Sequence, residues 1–322
     1  MVSGDGAGDR PEGAIVMVGA ARPADGFRVL DTEQVDQFLE RGYLTVKGCV
    51  DPELARRWTD QAYERLGYRK DDLSTWAEPI VWMYPENRLP IEEISEKAWD
   101  AICDVVGGED RIDRRVMKVE GHFSEIDAST WSDAFIVNFN NGADGPWVPP
   151  SGDMGRWHQD GAFFRHFLNS REQALLTIVY WSDVAHQGGG TFITPDSVKH
   201  IARYLADYPE GYPPSEMPFK EIAQACDDFV EVTGEVGDFL ILHPFMLHSS
   251  SSNLSGEPRW MTNPPIVLKE PMDLNREDAS DFSLLERATL RALGVERYDF
   301  RPTAAYEAYW EVVGDGQEDD AS

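Results

Sequence analysis

From about Arg114 to Val267 the sequence breaks into short apolar or alternating runs separated by Gly, Pro, Asn and Asp. This punctuation limits the fold more than any other feature. Runs at 116–120, 134–139, 156–159, 174–181, 191–193, 229–232, 238–242 and 259–267 read as strands. A βαβ unit needs a crossover of about a dozen residues between parallel strands. Strands this short and this closely spaced favour antiparallel packing in a jelly roll or barrel instead. One interruption, 196–228, carries a helix at 198–204 and a Pro/Gly-rich loop. The fold class is therefore mostly β with flanking helices.

The helices come first in the chain. Asp31 can cap a turn that Gln34 closes as a capping box, and Val35, Phe38 and Leu39 share one face, so a helix starts there. Gly42 ends it, and Tyr43-Leu44-Thr45-Val46 reads as a strand. A second helix is expected over 52–66, where Leu54, Trp58, Ala62 and Leu66 recur every four residues, and a third between 91 and 106. Residues 1–27 show no sustained period and read as a mobile segment. Residues 28–312 read as one domain, with its β core at 114–268 and a late helix at 281–293, and 313–322 as an acidic tail.

Charge narrows the partners. Asp and Glu number 58 against 29 Lys and Arg, a formal charge of −29. Affinity for a phosphate backbone or an anionic bilayer comes from clustered Lys and Arg, so nucleic acid and membrane surfaces are not expected partners. Three separated cysteines (Cys49, Cys103, Cys226) make neither a disulfide framework nor a structural zinc motif. The first 26 residues have no basic stretch followed by a long apolar run, and no stretch reaches the roughly 18 apolar residues of a membrane span. A cytoplasmic protein is expected; oligomeric state is not readable.

Chemistry concentrates in two places. In Trp157-His158-Gln159-Asp160, a strand period of two sends His158 and Asp160 to one face and Gln159 to the other. An imidazole and a carboxylate side by side are two adjacent ligands for a divalent metal. A third from a distant strand would complete the two-His-one-carboxylate face that leaves positions open for cosubstrate and dioxygen. Downstream, Gly237-Asp238 turns into the apolar run 239–242, followed by His243, His248, a serine run and Arg259. A hairpin would carry Arg259 back beside His248, and its planar fork suits a carboxylate. Either His243 or His248 could be the third ligand, since Pro244 breaks the parity between them. His122, His166, His186 and His200 have no partner at ligand-like spacing.

Together these motifs resemble the phytanoyl-CoA dioxygenase family: Trp-His-Gln-Asp, a Gly-rich turn with Pro and Ser at 188–197, Gly-Asp before a strand, then His, and Arg eleven residues after His248. The opening helix and Gly-Tyr-Leu-Thr-Val fit as well, so the likeness runs over about 28–268. The resemblance implies a double-stranded β-helix (jelly roll, cupin-like) and an Fe(II)- and 2-oxoglutarate-dependent oxygenase, with O2 as second cosubstrate. It implies His158, Asp160 and His248 as iron ligands, the spacing to Arg259 favouring His248 over His243. Arg259 would bind the distal carboxylate of 2-oxoglutarate, assisted by Ser250, with Thr191 and Asn138 as further contacts. The reaction it implies hydroxylates, desaturates or cyclises at a C–H bond and releases succinate and CO2. Related halogenases lack the carboxylate that Asp160 supplies.

The substrate reading is coarser. The Gly/Pro-rich stretch 141–155 lies where a lid over the site would be, and Trp147, Phe163, Phe164 and Arg165 could line a pocket with one cation. No Lys/Arg cluster suits the polyanion CoA, so a small molecule such as a natural-product intermediate is expected. Two alternatives stand beside this: a cupin-like metal enzyme without 2-oxoglutarate, which would not need Arg259, and a non-catalytic binding or sensor homologue.

Overall fold

The structure is a computed structural model and describes residues 26–122 and 125–313. The segment 1–25 and the acidic stretch from 314 lie outside the described residues, and with them most of the expected mobile segment and tail.

Among the described residues seven α-helices surround the sheets: α1 (Thr32–Arg41), α2 (Pro52–Leu66), α3 (Ile91–Ile94), α4 (Glu96–Val106), α5 (Ser197–Asp207), α6 (Phe219–Gln224) and α7 (Leu284–Leu293). Local chemistry sets their ends. Asp31 and Gln34 form the expected capping box, and Gly42 closes α1 at φ 70°, a left-handed conformation that glycine adopts without steric cost. The stretch expected as one helix from 91 to 106 is two. Ser95 is extended and caps α4 by accepting the Ala98 N–H, which breaks the run.

The strands are β1 (Tyr43–Val46), β2 (Ile80–Trp82), β3 (Arg88–Pro90), β4 (Met117–Lys118), β5 (Thr130–Ser132), β6 (Ile136–Asn138), β7 (Leu176–Tyr180), β8 (Thr191–Thr194), β9 (Val230–Val232), β10 (Phe239–Leu242), β11 (Leu247–Ser250), β12 (Arg259–Thr262) and β13 (Glu311–Val312). Six form a major antiparallel sheet in the order β1-β10-β7-β12-β6-β2, and three a minor sheet, β11-β8-β9. Their strands line opposite walls of one cavity, the arrangement of an open jelly roll rather than a closed barrel.

Three expectations need correction. Residues 156–159 make a single antiparallel bridge, His158 with His248, and no ladder. The run 259–267 stops as β12 at Thr262, because Pro264 and Pro265 have no N–H to donate. Arg259 does not return beside β11 in a hairpin. β11 pairs with β8, whereas β12 pairs with β6 and β7, so the connection between them crosses from one sheet to the other.

Parity along β12 ties core to site. Trp260 faces outward onto α2, its ring 5.0 Å from Tyr63 and 5.3 Å from Phe135. Beside it Trp58 stacks on Trp181 at 4.8 Å. Burying an aromatic of this size stabilises by about 2–3 kcal/mol. This anchorage leaves the alternate positions, Arg259 and Met261, on the cavity wall.

Candidate metal centre

His158 and His248 exchange both backbone hydrogen bonds, N to O at 3.1 and 3.0 Å. That single bridge brings a residue of the 151–166 connection against the minor sheet and sets the two imidazoles 4.2 Å apart, centroid to centroid. Trp157 points the other way, buried, its indole N–H donated to the Ser151 carbonyl at 2.9 Å. The period of two expected over 157–160 therefore holds without a ladder.

Both imidazoles aim Nε2 at one carboxylate oxygen. Asp160 Oδ1 lies 3.6 Å from His158 Nε2 and 3.3 Å from His248 Nε2. The far ring nitrogens face backbone carbonyls, His158 Nδ1 at 2.8 Å from Arg156 O and His248 Nδ1 at 3.2 Å from Met246 O. Nδ1 in each ring must be the donor, which leaves both Nε2 lone pairs directed at the common point, as metal-ligating histidines require. Arg156 sits at φ 73°, a conformation that strains a residue with a side chain by about 1–3 kcal/mol and here turns its carbonyl toward His158. Asp160 Oδ2 accepts from Asn263 Nδ2 at 3.1 Å, so one carboxylate oxygen is held and the other kept free. Burial alone would raise the Asp160 carboxyl, but positive charge on the facing imidazoles, a role that a bound cation would take over, holds it well below the usual carboxylate range. Three donors of borderline hardness converging this way fit a divalent first-row metal such as Fe(II).

Arg259 is the other distinctive group. It is 3% exposed, and its guanidinium donates only to carbonyls, Nε to Gly189 O at 3.0 Å and Nη1 to Ile136 O at 3.2 Å. Among the described residues no carboxylate pairs with it. Burial pushes its pKa down to about 10. A buried cation without a counter-ion is costly unless a ligand supplies the anion. Gly189 (φ 79°) is packed so closely that a Cβ there would lie 2.8 Å from Asn138 Nδ2, which explains a glycine at the carbonyl that orients Arg259.

His158, Asp160, His248 and Arg259 share a cavity of about 500 Å³ with a mainly apolar wall that includes Ile136, Ile178 and Met261. Ser250, Thr191 and Phe163 line it too. Other expected site residues do not. Asn138 donates to Ser251 O at 3.1 Å and accepts from the Asn141 N–H, bracing the end of β6. Phe164 is buried and stacked 4.1 Å from His166, and Arg165 ion-pairs with Glu307. Trp147 packs edge-on against Phe192, 5.4 Å away, and among the described residues none of 141–155 lines the cavity. Phe192 has the opposite parity to Thr191, so that stretch covers the outer face of the minor sheet. His243 is fully buried, its Nε2 3.0 Å from Thr289 Oγ1, and burial pushes it down to about 3. It belongs to the helix interface.

Asn263 was not foreseen. A signal existed, since 259, 261 and 263 share parity on one strand and its continuation.

Two imidazoles and a carboxylate on an open jelly roll, with a buried Arg that pairs with no carboxylate among the described residues on the same cavity, match the donor set of the non-haem iron, 2-oxoglutarate-dependent class. The chain belongs to the phytanoyl-CoA dioxygenase family, whose sequence profile matches residues 38–261. Solved structures that the chain matches include the epimerase SnoN in complex with Fe3+, α-ketoglutarate and nogalamycin RO (16% identity, TM-score 0.40, 73% of this chain and 82% of that one). AviO1 from Streptomyces viridochromogenes Tue57 is another (14% identity, TM-score 0.40, 73% and 92% covered). So is HygX from Streptomyces hygroscopicus with nickel, 2-oxoglutarate and hygromycin B (15% identity, TM-score 0.37, 72% and 85% covered). A search of curated proteins finds no significant match. Among the described residues no helix is long and apolar enough to cross a membrane.

Proposed function

We propose that the chain is an oxygenase that couples 2-oxoglutarate and O2 to oxidation of a C–H bond in a small molecule, releasing succinate and CO2. The observation that carries this is Arg259: buried, without a counter-ion among the described residues, and on the wall of the cavity that holds His158, Asp160 and His248. His158, Asp160 and His248 would hold Fe(II). Bound there with 2-oxoglutarate, the metal supplies the O2 activation that side chains cannot.

The chain's own residues do the positioning. Arg259 takes the distal carboxylate of 2-oxoglutarate, with Ser250 offering a hydroxyl from the facing wall and Thr191 paired with Ser250 in the minor sheet. The Arg156 and Met246 carbonyls hold the imidazoles in one tautomer, and Asn263 fixes the carboxylate. Ile136, Ile178, Met261 and Phe163 keep water from the reacting carbon and offer a substrate apolar contact. A cavity of about 500 Å³ falls in the range that holds drug-sized ligands, consistent with a natural-product intermediate. The carboxylate of Asp160 supports hydroxylation, desaturation or cyclisation over halogenation.

The test is a succinate-release screen with Fe(II), 2-oxoglutarate and O2 across metabolite classes, run beside Asp160→Ala. Substrate-dependent succinate lost in that variant is expected. Near-normal succinate from Asp160→Ala would sink the ligand assignment.

A further inference from the structure

A second set of donors converges where β8 passes into α5. Asp196, His200 and Cys226 each bring one ligand atom within 4.8 Å of the other two. They come from the N-cap of α5, its first turn, and the residue after the α6 C-cap.

Two separate observations set this group apart from an ordinary polar cluster. Asp196 occupies an N-cap position yet accepts no N–H from its own helix, giving up the stabilising contact that an Asp there usually makes. Its carboxylate turns away instead, Oδ1 accepting the Thr194 hydroxyl at 2.8 Å and Oδ2 the Asp227 N–H at 2.9 Å. Each oxygen keeps a lone pair for another partner. Independently, Nε2 of His200 is buried and has no hydrogen-bond partner among the described residues. An unmet buried nitrogen carries a desolvation cost that a bound cation removes. Cys226 is the third donor, buried, with its Sγ–H donated to the Ile222 carbonyl at 3.2 Å. Burial pushes that thiol up to about 12, so it is protonated when no metal is bound.

We propose that Asp196, His200 and Cys226 form a second metal site, outside the oxygenase cavity, that takes Zn2+. One thiolate, one imidazole and one carboxylate suit zinc, with water in a fourth position. The step balances simply: Zn2+ displaces the Cys226 proton, a zinc–sulfur bond replaces the S–H bond, and one H+ leaves to solvent. Two anionic ligands and a divalent ion then leave the group neutral. Lys199, 3.7 Å from Asp196, is the nearby cation that zinc must outcompete. The ion would pin α5 to the segment after α6, an association that now rests on helix packing and the hydrogen bonds of Asp196.

Cobalt(II) tests this, because a cobalt–thiolate bond gives an intense near-ultraviolet charge-transfer band that a site without cysteine cannot produce. The full chain carrying His158→Ala is stripped with chelator, titrated with Co(II), and then with Zn(II). The band should grow to one equivalent, bleach as zinc replaces cobalt, and vanish in Cys226→Ser and separately in His200→Gln, each checked for folding by circular dichroism. If Cys226→Ser fails to fold, His200→Gln alone decides. Absence of the thiolate band, or a band that survives these substitutions, overturns the proposal.

Discussion

Asn263 Nδ2 donates to Asp160 Oδ2 at 3.1 Å, while Asp160 Oδ1 faces His248 Nε2 at 3.3 Å. One carboxylate is thus divided between an orienting contact and a ligand position. Removing the amide frees the carboxylate to rotate without removing a ligand. Asn263→Ala should weaken Fe(II) binding by roughly 10–100-fold, the usual cost of losing such a partner. Isothermal titration against Fe(II) or Mn(II) checks this, and unchanged affinity would make Asn263 a bystander.

Arg259 separates ligand binding from stability. Because its charge has no partner among the described residues, Arg259→Leu should lower 2-oxoglutarate affinity by at least about thirtyfold, since truncating a buried charge-assisted contact costs roughly 2–5 kcal/mol. The melting temperature of the apo protein should hold or rise, because an uncompensated buried cation is removed. Retained 2-oxoglutarate affinity would favour a metal enzyme that does without it.

The two candidate third ligands make opposite predictions. His243→Leu should leave metal affinity intact and destabilise by about 1–3 kcal/mol, because the buried Phe245 N–H loses its acceptor while the Thr289 hydroxyl keeps only the Leu285 carbonyl. His248→Leu should abolish metal binding at little cost to the fold. Metal titration and thermal melts of both variants read the contrast.

Glu286 gives a pH signature away from the site. It is fully buried in α7, 2.6 Å from Arg111 and 3.1 Å from Arg276. Burial alone would raise its pKa, but the two guanidinium groups hold it down at about 2. A depressed acid stabilises the fold above its unfolded pKa, about 4.3, and that stability disappears as pH falls toward 2. Glu286→Gln should therefore cost on the order of 3 kcal/mol at pH 7, and the difference should shrink steadily below about pH 4.5. Denaturant melts at several pH values measure it, and a pH-independent difference contradicts the ion-pair account.

What the sequence made legible was mostly local. The Asp31–Gln34 box, the Gly42 stop and the alternation around His158 depend on neighbours a few residues apart, and each appears in the structure. What escaped was non-local. Nothing near residues 251–258 says that the chain leaves the minor sheet for the major one, so Arg259 was expected beside His248 and instead faces it across the cavity. Trp147 was expected over the site because it precedes Trp157-His158 in sequence. The parity of Phe192, 45 residues later, decides that it packs outside. His200 and Cys226, 26 residues apart, have no shared motif and meet only through the fold of α5 and α6.

The central claim, that one cavity binds Fe(II) and 2-oxoglutarate together, is tested most directly by anaerobic absorption spectroscopy. Adding Fe(II) to the apo protein with 2-oxoglutarate should produce a weak visible charge-transfer band from the chelated metal, absent from Asp160→Ala and much reduced in Arg259→Leu at limiting 2-oxoglutarate. No band in the wild-type chain, together with no 2-oxoglutarate binding, would contradict the account.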